Sequence, residues 1–218
     1  MARHYTGPKQ LLPVAGQPII EHVLALLPRE ITELVFVVGG PHEAIIRDYF
    51  ASGERAGRPI TFAVQEEQLG LAHAFNVTRE VVSGRWLGMI GDDILGSEDL
   101  SRLVREEMGL LAAHTDHPEN FGVLVTDAEG NLVRSVEKPK EFVSDLVWTG
   151  HMVMDERFFA AKVPPSARGE YETPDVWMKL ISDFGARIKV VEADFWLPIN
   201  DQEQLAEAER ILANSGEE

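Results

Sequence analysis

Short apolar runs alternate with amphipathic stretches along the first half of the chain. Residues 33–38 read Glu-Leu-Val-Phe-Val-Val and close on Gly39-Gly40. Residues 60–65 and 86–90 have the same character, so each is predicted to be a strand. Between them apolar positions recur at helical spacing. Ile19, Ile20, Val23, Leu24 and Leu27 follow Pro18 and stop at Pro28. Similar patterns predict helices over 42–50, 69–82 and about 98–113. Strands alternating with helices imply a mainly parallel sheet with helices on both faces. After residue 118 the pattern changes. Residues 121–125 and 132–137 flank the turn sequence Asp127-Ala128-Glu129-Gly130-Asn131, which predicts a hairpin. A strand over 146–153, a helix near Phe158, a helix over 175–184, a strand over 188–196 and a charged helix over 202–213 complete the expectation. Residues 10–14 read as extended, and 214–218 as a fraying end.

The stretch Trp86-Leu87-Gly88-Met89-Ile90-Gly91-Asp92-Asp93 draws the eye first. It runs from apolar residues through a glycine into two carboxylates. In an open α/β sheet, ligands gather beyond the carboxyl ends of such strands. A carboxylate there, beside bound phosphates, is the usual way to hold Mg²⁺. The plainer reading is a strand-to-helix turn capped by an aspartate or by Ser97.

Composition narrows the choices. The chain has 218 residues, enough for one large domain. Its formal net charge of −16 argues against nucleic-acid or anionic-membrane partners. It leaves room for a nucleotide enzyme, whose site needs only a few lysines and a metal. With no cysteine, disulfides and thiolate chemistry are excluded. No apolar run reaches the roughly 18 residues of a membrane span, and residues 1–5 do not read as a signal peptide. A cytoplasmic location is expected.

Four further stretches could carry chemistry, each with a plainer alternative. Gly7-Pro8-Lys9-Gln10 presents a lysine that can meet phosphate or simply face solvent. Gln65-Glu66-Glu67-Gln68-Leu69-Gly70 offers an amide to a base edge and a glycine for close approach, or an ordinary turn. Glu137-Lys138-Pro139 pairs a carboxylate suited to sugar hydroxyls with a lysine suited to phosphate, or is a surface ion pair. Trp196-Leu197-Pro198-Ile199-Asn200-Asp201 supplies polar oxygens, or a helix cap. His114-x-x-His117 has metal-like spacing but lies in a polar loop, where a surface reading is preferred.

In this order, the segments Gly7–Gly16, Gly70-Leu71-Ala72-His73-Ala74, Gly91-Asp92, Glu137-Lys138-Pro139 and Pro165-Ser166-Ala167-Arg168-Gly169-Glu170 resemble the sugar-phosphate nucleotidyltransferases. The likeness is nearest to glucose-1-phosphate thymidylyltransferases and uridylyltransferases and covers essentially the whole chain. It implies a Rossmann-like, mainly parallel mixed sheet with a nucleotide half over about 1–118 and a sugar half over about 119–218. The implied reaction joins dTTP or UTP to a sugar 1-phosphate, such as glucose 1-phosphate, and releases pyrophosphate with Mg²⁺. By this resemblance Lys9 contacts phosphate and Asp92 binds metal. Gln65 and Gly70 read the base. Gly122, Glu137, Thr149 and Glu170 contact the sugar, and Lys138 lies near the sugar phosphate. A homo-oligomer is also implied.

Two departures from the family pattern matter. The family has a first strand and a loop of the Gly-x-Gly-Thr-Arg type ahead of the lysine motif. Here only eight residues precede Lys9, and Arg3 does not align with the loop arginine. A missing mid-sheet strand would expose the edges of its neighbours. The departure leaves three readings: an enzyme, a non-catalytic sugar-nucleotide-binding relative, or a shortened form of a longer protein whose start lies upstream. The second departure is at the last strand, where thymidylyltransferases place an aspartate two residues after the tryptophan. Pro198 stands there instead, and the following Asn200-Asp201-Gln202 resembles the uridylyltransferases of acetylglucosamine 1-phosphate. Asn200 is assigned to the metal, with Asp201 as the alternative ligand or a cap.

Overall fold

The computed structural model describes residues 5–215. Arg3 and residues 216–218 of the expected fraying end lie outside them. In chain order the elements are β1 (Pro13–Val14), β2 (Gln17–Pro18), α1 (Ile19–Ala25), β3 (Leu34–Val38), α2 (Glu43–Tyr49), β4 (Ile60–Val64) and α3 (Leu71–Asn76). Then come β5 (Trp86–Gly88), β6 (Asp93–Leu95), α4 (Asp99–Leu103), β7 (Gly109–His114), β8 (Gly122–Thr126), β9 (Leu132–Glu137) and β10 (Leu146–Met154). The chain ends with α5 (Arg157–Ala160), α6 (Thr173–Phe184), β11 (Lys189–Glu192), β12 (Trp196–Pro198) and α7 (Gln202–Ser215).

β10 is the organising strand. All nine of its residues are buried, and it pairs with β5, β7 and β8. The sheet order is β11-β7-β10-β8-β9, with β5 also on β10. Side chains alternate between the two faces. Leu110, Ala112, Met152 and Met154 join a core with α3, α5 and α6, while Leu111 and Val153 join a second core with α1 and α4. Both faces of the sheet are thus covered by helices, as expected for an α/β fold with a mixed sheet. The balance of directions differs from expectation. Among the described residues only β3–β4 and β7–β11 pair in parallel. β10 runs antiparallel to all three of its neighbours, and the β8–β9 and β6–β12 pairs are antiparallel as well, so antiparallel pairing outweighs parallel.

The predicted helix over 98–113 is the main correction. α4 ends at Leu103, and Gly109–His114 is strand β7. Leu110 and Leu111 are both wholly buried because they face opposite cores. A short, continuously apolar run has no alternation to separate it from a buried helix. Nor does Ser97 cap α4. The buried Asp99 instead accepts from the Gly96 amide (2.9 Å), the Asp194 amide (2.8 Å) and Arg102 (2.5 Å). That carboxylate ties the start of α4 to the approach to β12. Residues 69–82 give a shorter helix, α3, followed by turns, and the strand expected to end at residue 90 ends at Gly88.

One pair of edges is open. β3 hydrogen-bonds only to β4, and β5 only to β10, among the described residues. Val35, Phe36 and Val37 are therefore only half-buried, although the strand reads as a buried one. Leu34 donates to Pro59 and Val38 accepts from Gln65 across the β4 side. In a parallel ladder the alternate residues, Val35 and Val37, point their amides the other way. Those two amides are expected to exchange with deuterium at least about a hundredfold faster than the β10 amides, measured by NMR at neutral pH. Equal protection would mean that another strand covers this edge in solution.

Candidate active site

Lys9 begins a single 3₁₀ turn, Lys9–Leu11, after the extended Pro8. The turn packs near Gly91: a Cβ built there would lie 3.6 Å from Gln10 Cγ and from Ile20 Cδ1. This aims the Lys9 ammonium at Asp92, with Nζ 2.8 Å from Oδ2. The same Nζ donates to Asn200 Oδ1 at 3.1 Å. Three residues separated by up to 191 positions thus meet on one cation. The neighbouring Asp201 does something else. Its Oδ1 accepts from the Gln204 amide (2.9 Å), while Gln204 Oε1 accepts from the Asn200 amide (2.7 Å). That reciprocal cap starts α7 and leaves the Asn200 side-chain Oδ1 facing Lys9.

Asp93 points the opposite way from Asp92. It is buried at the start of β6, where it pairs with Pro198 of β12. Its Oδ2 accepts from Trp196 Nε1 at 2.8 Å. Burial, with the Asp92 charge beside it, pushes its carboxyl up to about 7. The Trp196 ring in turn meets Phe121 edge-on, with centroids 5.2 Å apart. Phe121 accepts the Lys138 amide at 3.0 Å. A short path of contacts therefore links the Asp92–Asp93 turn to the residues around Gly122 and Glu137.

At those residues, Gly122 lies opposite Glu137 in the β8–β9 ladder. A Cβ on Gly122 would come within 3.2 Å of Glu137 Oε2. The carboxyl of Glu137 is raised by burial and by the Glu172 charge. Arg168 binds Glu172 at 2.8 Å and reaches Glu137 at 3.4 Å and Glu170 at 3.8 Å. Ser166 Oγ adds a hydrogen bond to Glu172 at 2.8 Å. Glu137, Lys138, Ser166, Arg168, Glu172 and Asp175 border a cavity of about 390 Å³. Arg168 and Glu172 are functional candidates that motif reading passed over. The available signal was three acidic side chains, Glu137, Glu170 and Glu172, with one arginine to hold them together. Thr149 is not with this group. It is buried on β10, and its hydroxyl donates to the Leu111 carbonyl at 3.0 Å.

Gln65 directly follows β4, and its Nε2 donates to the Gly70 carbonyl (3.2 Å) and lies 3.0 Å from His73 Nδ1. Gly70 has φ +94°, and a Cβ there would sit 2.8 Å from the Tyr171 carbonyl oxygen. The space left by this glycine is filled by protein backbone. Tyr171 donates to Leu69 and accepts from Ala72, at 2.8 and 3.1 Å. The 65–70 loop is thereby stitched to the loop carrying Arg168, Glu170 and Glu172. The exposed Gln68 lies over Gly40, its Nε2 2.9 Å from where a Gly40 Cβ would stand. Gly70→Ala is expected to destabilise the fold by about 2–3 kcal/mol, from left-handed strain and the clash with Tyr171. Urea unfolding measures this, and a change below about 0.5 kcal/mol would contradict the packing described.

The family follows from comparison with known proteins. The sequence model described as "Nucleotidyl transferase" matches residues 5–215. The chain belongs to the nucleotidyl transferase family. A UTP–glucose-1-phosphate uridylyltransferase, AglF of Haloferax volcanii, is 35% identical over 216 residues, covering 94% of this chain and 88% of that protein. The bifunctional protein GlmU of Methanococcus maripaludis is 32% identical over 180 residues, 81% of this chain but 42% of GlmU. The chain spans between 42% and 50% of the length of the GlmU relatives it matches. Among solved structures, one described as a glucose-1-phosphate thymidylyltransferase of Bacillus anthracis superposes with a TM-score of 0.81 at 27% identity, over 95% of this chain and 87% of that one.

Within this nucleotidyl transferase domain the two histidines with metal-like spacing do not act together. His114 Nδ1 pairs with Asp145 at 3.0 Å, and His117 with Glu119 at 3.4 Å. Among the described residues no group of three or more His, Cys, Asp or Glu side chains is arranged to hold a metal alone. Nor is any helix among the described residues long and apolar enough to cross a membrane.

Proposed function

We propose that the chain transfers a nucleotidyl group from dTTP or UTP to a sugar 1-phosphate, in the first instance glucose 1-phosphate, with release of pyrophosphate. The observation that carries this reading is the meeting of Asp92 and Asn200 oxygens on the Lys9 ammonium, at 2.8 and 3.1 Å. Two hard oxygen donors that already converge on one cation fit Mg²⁺, which takes one or two protein ligands and completes its shell with water and substrate phosphates. Asp92 and Asn200 would hold the ion. When bound, it supplies Lewis-acid stabilisation of phosphate charge.

The rest of the chemistry falls to the chain. An oxygen of the sugar 1-phosphate forms a bond to the α-phosphorus as the bond to the bridging oxygen of pyrophosphate breaks. The nucleophile is already an ionised phosphate, so no general base is needed. Catalysis is then alignment and charge neutralisation, with Lys9 turned onto phosphate once its two oxygens are engaged elsewhere. Glu137 and Glu170, held by Arg168, accept hydrogen bonds from sugar hydroxyls across Gly122, and Lys138 meets the sugar phosphate. Glu172 anchors Arg168. Gln65, Gln68 and Gly70 line the base side, and a homo-oligomer is the expected assembly.

Pyrophosphate release from dTTP or UTP, with and without glucose 1-phosphate and Mg²⁺, tests the proposal. Turnover that requires all three supports it. A folded chain that turns over no triphosphate overturns it, and calorimetric binding of UDP-glucose without turnover would assign the chain to non-catalytic sugar-nucleotide binding.

A further inference from the structure

The strand behind the Asp92 turn is not regular. Between Trp148 and Met152 the β10–β7 register slips, and Gly150 adopts φ +91°. The slip is a built feature. Trp148 Nε1 donates to the His151 carbonyl at 2.8 Å across its base, and Thr149 Oγ1 pins it to Leu111 at 3.0 Å. The Gly150 backbone presses on the residue that leads into the turn: a Cβ there would fall 2.4 Å from Ile90 Cδ1. His151, wholly buried, completes the group. Its Nδ1 lies 3.2 Å from Thr149 Oγ1. Since the Thr149 hydroxyl hydrogen goes to Leu111, Nδ1 carries the hydrogen and donates. Nε2 is buried with no hydrogen-bond partner. The ring also lies against the Ile90 backbone and feels the Asp92 charge. A polar ring wholly buried without a partner for its second nitrogen carries a standing desolvation cost, and an apolar residue would pack there without it.

We infer that the Thr149–Gly150–His151 bulge is the rear wall of the Ile90–Gly91–Asp92 turn, and that His151 is a positioning residue that fixes where the Asp92 carboxylate points. The role of Asp92 in metal binding rests on the function proposed above; the placement of the turn does not. Outer groups of this kind hold metal-side carboxylates in register, and their loss typically costs on the order of tenfold or more in metal affinity.

The test compares His151→Leu, His151→Gln and Thr149→Val with the unaltered full chain. Backbone amide and Asp92 carboxylate carbon signals are read by NMR, and Mn²⁺ affinity by titration. His151→Leu and Thr149→Val are expected to move the Gly91 and Asp92 signals, leave those of Gly122 and Glu137 in place, and weaken Mn²⁺ about tenfold. His151→Gln, which keeps a polar nitrogen at the far end, is expected to restore the Asp92 signals. Unmoved Gly91 and Asp92 signals in the leucine or valine variant would overturn the inference. So would a glutamine variant as perturbed as the leucine one, since packing alone would then account for the site. If His151→Leu does not fold, Thr149→Val decides on the same signals. Failure of the unaltered chain to bind Mn²⁺ would count against the proposed reaction, while the NMR comparison would still decide the placement of the turn.

Discussion

Asp92→Ala is expected to lower Mg²⁺-dependent pyrophosphate release by about a thousandfold, because it removes the one charged oxygen that both faces Lys9 and can hold the ion. The fold is expected to tolerate the change. Asp92 and Lys9 are only 19% and 16% exposed, but Lys9 keeps its hydrogen bond to Asn200, so loss of the ion pair is expected to cost about 1–2 kcal/mol. Loss of the Asp92 charge also relieves its repulsion of the buried Asp93. Thermal unfolding should therefore shift by only a few degrees. Lys9→Met separates the two roles. It should reduce turnover comparably, yet leave Mn²⁺ binding intact or tighter, since the competing ammonium is gone. Undiminished turnover in the alanine variant would remove Asp92 from the mechanism.

Two buried groups are expected to give the stability of this protein opposed pH slopes over the same range. Asp93 titrates near 7 in the native chain, against 3.8 when unfolded. Between those values the native state keeps a proton that the unfolded state releases, so stability falls as pH rises, by about 4 kcal/mol over the full span. His151 titrates near 4 in the native chain, against 6.5 when unfolded. Between those values the unfolded state binds a proton that the native state refuses. Stability therefore falls as pH drops, by about 3 kcal/mol. In the unaltered chain the two slopes largely cancel from pH 4 to 6.5. Asp93→Asn, which can still accept from Trp196, removes one slope. Relative to the unaltered chain it should gain about 3–4 kcal/mol more stability at pH 7.5 than at pH 4.5. His151→Leu should do the opposite, its advantage being greatest at pH 4.5. Urea unfolding at the two pH values measures both differences, and a parallel offset in either variant would show that the group does not titrate in this range.

The chain's own order of residues determined more of the local structure than of the site. The apolar runs expected at 33–38, 60–65 and 86–90 form the strands 34–38, 60–64 and 86–88, because each is short, rich in β-branched or aromatic residues, and bounded by glycine or proline. The hairpin at 121–137 is equally local, since Asp127 and Gly130 make its turn within five residues, Asp127 Oδ1 accepting from the Glu129 and Asn131 amides. The family motifs are legible for the same reason: they are contiguous.

What tertiary structure alone decided is everything that depends on a contact across the chain. Gly109–His114 is a strand only because β10 and β11 flank it. Asn200 turns toward Lys9 while Asp201 caps α7, a division that two adjacent polar residues cannot express in sequence. Gly70 must be glycine because Tyr171 lies against it, and Arg168 gathers acidic groups from two separate segments. Periodicity records how a residue faces its own element. It carries no information on which distant backbone will fill the space opposite, and at this site that opposing surface sets each side chain's direction and charge.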